Sequence, residues 1–165
     1  MGKNNKAESP KDMNAQIKEL EARIKTLEND QQEDALSMVV AANSFDKAMM
    51  PFIMGVTAAS MGMEVHIFFT FFGINLLKKG YSPKMPGIYM PFTGMMVSKM
   101  AKLNIEDFPG QVKMAKELGV HLYACNTSME MMGIKKSDLI DGIEVVGAAT
   151  FLDLAANSKV QLFIS

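Results

Sequence analysis

Short apolar strands alternate with helices from residue 36 onward, and this alternation constrains the fold more than any other feature of the 165-residue chain. Five segments have the character of strands, in the order LSMVVAA, MEVHIFFT, VHLYA, GIEVV and KVQLFIS. Helical segments separate them, which is the pattern of βαβ units with a parallel sheet. The sequence therefore predicts an α/β domain built on a five-stranded parallel sheet.

The connections between the strands also carry signals. Asn43 and Ser44 are the predicted N-cap residues of a helix that reaches about Met61. A short helix is predicted in FFGINLLKKG, and the proline-rich segment YSPKMPGIYMPFT after it is expected to be an irregular loop. Two helices, at about 94–103 and 109–118, should precede the third strand, and another should cover 148–156.

The first 34 residues are mostly polar and charged, unlike the rest of the chain. Their apolar residues recur in the a/d pattern of a coiled coil, at Met13, Ile17, Leu20, Ile24 and Leu27. The sequence thus predicts a helical arm over 1–34 and an α/β domain over 35–165. Because two heptads are too short to be stable alone, the arm is expected to pair with another subunit or to lie on the domain. A solvated amphipathic helix is the alternative.

Charge and cysteine content exclude several classes of protein. The net charge of −1 and the lack of a Lys/Arg run argue against a nucleic-acid partner. One cysteine cannot form an internal disulfide, and the polar start of the sequence has no signal-peptide character, so a cytoplasmic protein is expected. The apolar stretch between Lys47 and Lys78 is interrupted by Glu64, which favours a buried helix and strand over a membrane span. A peripheral membrane role for residues 48–77 stays open.

Familiar catalytic motifs are missing from the sequence, which has no GxGxxG, P-loop, CxxC, HExxH or GxSxG. His66 and His121 lie in predicted strands and are interpreted as core residues, whereas Glu64 is expected to be solvated. With two histidines and one cysteine, a zinc site is not expected. We expect neither a metal nor a cofactor.

Methionine is abundant, with 17 residues. A Met cluster beside a thiol would suit Cu(I), but Met is also an adaptable core filler. Four residues at helical spacings are expected to pack against the sheet: Met49, Met50, Met54 and Met61.

Cys125 directly follows the third strand, at the edge of the sheet where ligands of open α/β proteins bind. The next residues, Asn126, Thr127 and Ser128, are typical of helix starts, so backbone N–H groups should face the sulfur and favour the thiolate. Free cysteine is also among the most buried residue types. Position alone leaves a reactive and a structural cysteine equally open.

The segment LYACNTSMEMMGI around Cys125 resembles the DsrE/DsrF/DrsH-like family of sulfur-relay proteins. Upstream HIFFTFFGINLLKKG and downstream DGIEVVGAATFLDLA resemble the branch of that family with an N-terminal extension, and the resemblance spans residues 36–165. It implies a three-layer α/β/α fold with strand order 2-1-3-4-5, commonly assembled into oligomers. That order would bring the ends of the first and third strands together at the topological switch point.

The resemblance also implies a function for Cys125 as the catalytic residue of a sulfurtransferase or sulfur carrier. Its thiol would hold sulfane sulfur as a persulfide and pass it to a TusA-type or other thiol-bearing carrier. Asn43, Ser44, Thr70 and Asn126 are the candidates for binding that anion. A second cysteine that could resolve the persulfide internally is missing from the sequence. The alternative is a non-catalytic, homo-oligomeric assembly module in which Cys125 is inert.

Overall fold

The structure is a computed structural model, and it describes residues 10–29 and 33–165, with side chains for 13–25 and 33–165. Contacts within the chain separate residues 1–32 and 33–165 as two units. Residues 1–9 and 30–32 of the predicted arm, and the side chain of Leu27, lie outside the described residues.

Within the described residues, five strands and six α-helices form in the order that the sequence predicts. The strands are β1 (Glu33–Val40), β2 (Glu64–Phe69), β3 (His121–Cys125), β4 (Glu144–Val146) and β5 (Ser158–Ile164). The helices are α1 (Pro10–Asn29), α2 (Phe45–Ser60), α3 (Thr93–Lys102), α4 (Phe108–Glu117), α5 (Asn126–Met132) and α6 (Ala148–Asn157). The short helix expected after β2 is a 3₁₀ segment, Phe71–Leu77, and a second 3₁₀ segment, Gly87–Phe92, forms inside the proline-rich loop.

The sheet is parallel throughout and has the order β4-β3-β2-β1-β5. The α/β class and the five-stranded parallel sheet are therefore confirmed, whereas the expected order 2-1-3-4-5 is corrected. Strand β2 lies between β1 and β3 instead of at an edge. Hydrophobic periodicity reports which faces of a strand are buried, but it does not report the strand's neighbours, so both orders fit the same pattern. The continuous burial of β2 is nevertheless typical of an interior strand.

Helices cover both faces of the sheet and complete the three layers. The larger core lies between the sheet and the helices α2 and α4, where Phe52 packs against Phe69 and Phe108 at ring distances of 5.9 and 5.4 Å. On the opposite face α6 packs through Phe151, whose ring stacks on Phe68 at 4.7 Å. The connections from β1 to β4 progress in one direction along the sheet and α6 returns the chain to β5, which accounts for α6 lying on the face opposite α2 and α4.

The methionines are divided between the core and the surface. Met38, Met49 and Met129 are buried in the larger core. Of the four residues expected to pack against the sheet, however, only Met49 is buried, whereas Met50, Met54 and Met61 are exposed. Helical spacing assigns Met50 and Met54 to α2 and Met61 to its C-terminal end. It does not distinguish the side of α2 that faces the sheet from the side that faces solvent.

None of the helices described in the structure is both long and apolar enough to cross a membrane.

Gly73 fixes the path of the chain after β2. Its N–H donates to the carbonyl oxygen of Ala41 at 3.0 Å, which ties the 3₁₀ segment to the end of β1. A Cβ at Gly73 would collide with the carbonyl oxygen of Val40. Only glycine permits this close approach of two backbone segments.

We expect Gly73→Ala to lower the free energy of unfolding by about 2–4 kcal/mol, because a buried backbone contact must open to admit the methyl group. The matched control is Gly94→Ala in α3, where an added Cβ meets open space and the change should be within about 1 kcal/mol. Urea denaturation followed by circular dichroism measures both. Equal stability of the two variants would show that the contact at Gly73 relaxes without cost.

Helix α1 carries an apolar seam along one side. Its described members Met13, Ile17, Leu20 and Ile24 are 48–56% exposed. Apolar residues repeated along one side of a helix are stabilised when a partner helix covers them. That the arm pairs with another subunit or lies on the domain stays a prediction.

We expect the double substitution Ile17→Asp and Ile24→Asp to reduce the mass of the assembly, because it places charges in the paired seam. The control variant Lys18→Gln and Lys25→Gln changes neighbouring residues outside the seam. Sedimentation equilibrium of the full chain distinguishes them. An assembly mass that is identical in the wild type and the Asp variant would exclude association through α1.

Candidate functional site

The pairing of β2 with β3 brings Thr70 and Cys125 together. The register pairs Phe68 with Tyr123 and Phe69 with Ala124, so the next step along both strands places Thr70 opposite Cys125. Successive side chains of a strand point to opposite faces. Thr70 therefore follows Phe68 onto the face that α6 covers, and Cys125 belongs to the apolar cluster on that same face.

A hydroxyl network surrounds the thiol. Ser128 lies one helical turn after Cys125, and its Oγ is 3.0 Å from Oγ1 of Thr70. The N–H of Phe71 donates to the same Ser128 oxygen at 2.9 Å. Phe71 has a φ of 44°, in the left-handed region that non-glycine residues rarely adopt. This sharp turn directly after β2 directs the Phe71 amide at Ser128, and backbone strain of this kind is often concentrated at functional sites.

The pKa of the Cys125 thiol reflects two opposing influences. Burial raises it, but the hydroxyl and amide of Ser128, the hydroxyl of Thr70 and the amide of Thr127 together outweigh burial and hold the pKa below its ordinary value. Cys125 is the N-cap residue of α5, and although its thiol makes no close cap hydrogen bond, these donors face its sulfur. The Ser128 oxygen accepts the Phe71 amide, and either hydroxyl of the Ser128–Thr70 pair can donate to the other, so one of their two hydroxyl protons remains for the sulfur. The site favours a thiolate.

Access to the sulfur is restricted. Only 6% of the Cys125 surface is exposed, and the residue packs beside Tyr123 and Val146. A surface pocket of about 120 Å³ opens next to Ser128 and is lined by Phe71, Phe72, Ser128, Met131 and Met132. The pocket therefore adjoins Ser128, the neighbour of the thiol, and the rest of its lining is apolar.

Asn126 lies at the outer edge of this arrangement. Its Oδ1 accepts a hydrogen bond from the N–H of Thr127 at 2.7 Å. The same oxygen is 4.0 Å from the position that a Cβ on Gly147 would occupy, so the side chain extends toward the end of β4. Asn126 thus adjoins Cys125 in the chain, but its side chain is engaged with its own helix start.

Asn43 and Ser44 do not join the thiol site, which corrects the expectation that the ends of β1 and β3 meet. Strand β2 lies between β1 and β3, so two strand spacings, roughly 9–10 Å, separate the axes of β1 and β3. The Nδ2 of Asn43 donates to the hydroxyl of Tyr81 at 2.8 Å. Ser44 is the N-cap residue of α2, without a side-chain cap hydrogen bond. Both residues serve the β1–α2 connection.

Ser128 is the residue that sequence reasoning missed as a member of the site. The sequence pattern indicates Ser128 only as one of the residues at a helix start. The signal was its spacing: a residue three positions after a strand-end cysteine, in the first turn of the following helix, lies on the same side as that cysteine.

The histidines form a separate polar group near the opposite ends of β2 and β3. His66 is buried and its Nδ1 lies 3.2 Å from the hydroxyl of Tyr123, as expected for a core residue with a partner, whereas the side chain of His121 is half exposed. Burial, the main influence, lowers the pKa of His66. Both Nε2 atoms lie 3.5–3.6 Å from Oε1 of Glu64. Within the described residues, no group of three or more His, Cys, Asp or Glu side chains is arranged to hold a metal ion.

Together, the fold and the site define a three-layer α/β protein with a thiolate-favouring cysteine at the end of an interior parallel strand. Comparison with protein families agrees: the family model of the DsrE/DsrF/DrsH-like family matches residues 32–88 and 82–163. The chain belongs to the DsrE/DsrF/DrsH-like family.

Two curated relatives match most of the chain. The sulfur carrier protein DsrE2 of Allochromatium vinosum is 30% identical over 158 residues, which cover 81% of this chain and 99% of that protein. The uncharacterized protein YrkE of Bacillus subtilis is 34% identical over 158 residues, with the same coverage.

Two solved structures share the fold at low sequence identity. The ychN protein of E. coli is 12% identical with a TM-score of 0.55, over 79% of this chain and 98% of that one. MTH1491 of Methanobacterium thermoautotrophicum is 14% identical with a TM-score of 0.51, over 73% and 90%. Both likenesses concern the fold alone.

We expect the alkylation rate of Cys125 by iodoacetamide to rise with a midpoint at lower pH in the native protein than in the denatured protein, because the thiolate is the reactive form. Thr70→Val and Ser128→Ala each remove a hydroxyl donor and should move the midpoint upward. The control Ser137→Ala removes an exposed hydroxyl outside the site and should leave it unchanged. Identical midpoints for native and denatured wild type would contradict the stabilised thiolate.

Proposed function

We propose that the chain is a sulfurtransferase or sulfur carrier that holds sulfane sulfur on Cys125 as a persulfide and yields it to a partner thiol. The observation that carries this proposal is the convergence of donors from Thr70, Thr127 and Ser128 on one thiol. The same donors suit a persulfide anion, because charge-assisted hydrogen bonds are stronger than neutral ones. The name of the Allochromatium vinosum relative, a sulfur carrier protein, agrees with this role.

Loading and delivery are two displacements at sulfur. The Cys125 thiolate attacks the outer sulfur of a donor persulfide, a sulfur–sulfur bond forms, and the bond to the donor breaks as the donor leaves as a thiolate. In delivery, the thiolate of an acceptor attacks the terminal sulfur of the Cys125 persulfide, and Cys125 leaves as the thiolate. Neither step requires an external oxidant or reductant. Ser128 and Thr70 stabilise the anion at Cys125 before and after each step.

The surroundings of the thiol indicate the kind of partner. Phe71, Phe72 and Met131 are 57–73% exposed and line the pocket beside Ser128. An exposed apolar rim of this kind is typical of a protein–protein contact. We propose a TusA-type carrier as the acceptor, with its cysteine entering over this rim, and a cytoplasmic homo-oligomer as the working form of the chain.

A non-catalytic assembly module is the second candidate. Its support is that Cys125 is 6% exposed while the seam of α1 is open. In that role the arm would be the functional part and the thiol would serve packing. The two candidates differ in whether sulfur is loaded on Cys125.

We expect the wild type, incubated with glutathione persulfide, to gain one sulfur atom on Cys125 by intact-protein mass spectrometry. Because Cys125 is the only cysteine in the chain, the sulfur should remain bound when no thiol is present and be released to a single-cysteine TusA-type carrier. Cys125→Ser should neither load nor deliver. It should remain folded, since the cost of a buried hydroxyl is about 1–3 kcal/mol if unpaired.

Ser128→Ala is the matched variant for the site, since it retains the thiol but removes a donor, and it should load more slowly near neutral pH. Ser137→Ala is the control for hydroxyl loss elsewhere. If the wild type never loads, or if Cys125→Ser still takes up sulfur, the carrier function is wrong and the assembly module takes its place.

A further inference from the structure

A larger pocket lies away from the thiol, between α4 and the segment that follows the first 3₁₀ helix. Its volume is about 440 Å³, within the roughly 300–1,000 Å³ range of small-molecule sites. Its apolar surface comes from Leu76, Phe108, Val112 and Ile140. Leu76, Phe108 and Val112 also belong to the larger core, so packed side chains support the floor of the pocket.

Three lysines line the same pocket and no acidic residue lines it. Lys78 precedes the turn at Gly80, whereas Lys113 and Lys116 lie on α4. Lys113 forms a loose, exposed pair with Glu117 at 3.8 Å. Among the ion pairs of the described residues, none engages Lys78 or Lys116. An apolar floor therefore lies beside two cationic groups without an acidic partner.

The wall that carries Lys78 is held by backbone hydrogen bonds. Lys78 forms a β-bridge with Leu139. On either side of this bridge, the N–H of Ile140 donates to the carbonyl oxygen of Leu77 at 2.8 Å, and the N–H of Lys79 donates to the carbonyl oxygen of Asp138 at 2.9 Å. The two chain segments on this side of the pocket are thus tied together. The pocket is built into the fold and does not depend on a loose surface loop.

Two further contacts position side chains of the lining. Asn43 Nδ2 donates to the hydroxyl of Tyr81, whose side chain lines the pocket. The Cε of Lys116 lies 3.5 Å from the position that a Cβ on Gly142 would occupy, so the lysine stem passes close to the Gly142 backbone. These contacts place an amphipathic ring and a cation at the rim.

We propose that this pocket binds an amphipathic organic anion, of which a medium-chain carboxylate is the simplest form. The apolar floor takes the hydrocarbon body, because burying apolar surface is favourable. Lys78 and Lys116 take the carboxylate, for which charge complementarity selects an anionic head over a neutral or cationic one. The pocket shares no lining residue with the pocket beside Ser128, so this binding is independent of sulfur transfer.

The test titrates decanoate into the full-length protein by isothermal calorimetry and maps amide chemical shifts by NMR. We expect saturable one-site binding, with shifts concentrated at residues 76–81, 108–116 and 140. Lys78→Gln with Lys116→Gln should weaken decanoate about tenfold, since two surface charges are lost. The control Lys99→Gln with Lys102→Gln removes two lysines of α3 outside the pocket and should change the affinity less than about twofold.

Two further probes separate the contributions of the head group and the chain. Decan-1-ol should bind more weakly than decanoate and equally to wild type and to the Lys78/Lys116 variant, and hexanoate should bind more weakly than decanoate to both. The proposal is overturned if the Lys78/Lys116 variant binds decanoate like the wild type, or if decan-1-ol equals decanoate. Inorganic phosphate that competes as well as decanoate, or shifts that cluster on the exposed 88–95 segment, would overturn it too.

Discussion

The hydrogen bonds that pair β2 with β3 determine the geometry of the thiol site. Their parallel register leads Thr70 and Cys125 to the same level and the same face of the sheet. A slip of one residue would move either side chain to the other face, because side chains alternate along a strand. Such a slip would also move Ile67 or Leu122 out of the larger core and onto the other face of the sheet. The packing of the core thereby fixes the register that places Thr70 opposite Cys125.

The thiol is held between two opposing physical influences. Burial among Phe68, Tyr123 and Phe151 disfavours its anion, whereas the donors at the start of α5 favour it more strongly. The left-handed conformation of Phe71 belongs to this balance, because it directs a backbone N–H at the Ser128 oxygen, which also pairs with the Thr70 hydroxyl. A low-dielectric setting strengthens each of these hydrogen bonds. A buried cysteine and a reactive cysteine are therefore compatible here.

The fold also separates two sites that the sequence does not distinguish. Asn43 lies shortly after β1, Thr70 directly follows β2 and Cys125 is the last residue of β3, so all three are polar or sulfur-bearing residues near strand ends. The strand order divides them: Thr70 joins Cys125, while Asn43 contacts Tyr81 beside the lysine-lined pocket. The thiol belongs to the smaller core under α6, and the lysine-lined pocket borders the larger core under α4. The thiol and the lysine-lined pocket thus border different cores.

The sequence by itself determined the elements and the location of the candidate nucleophile. Alternating apolar segments defined all five strands, and Cys125 at the end of β3 was identified as the candidate site, because periodicity and helix-start residues are local signals. Tertiary structure decided the strand order and the contact between the hydroxyls of Thr70 and Ser128. It also decided that the side chains of Met50, Met54 and Met61 are exposed to solvent. These features depend on contacts between residues far apart in the chain, such as the 58 positions that separate Thr70 from Ser128. Local patterns describe a strand's own faces, and only packing selects its neighbours.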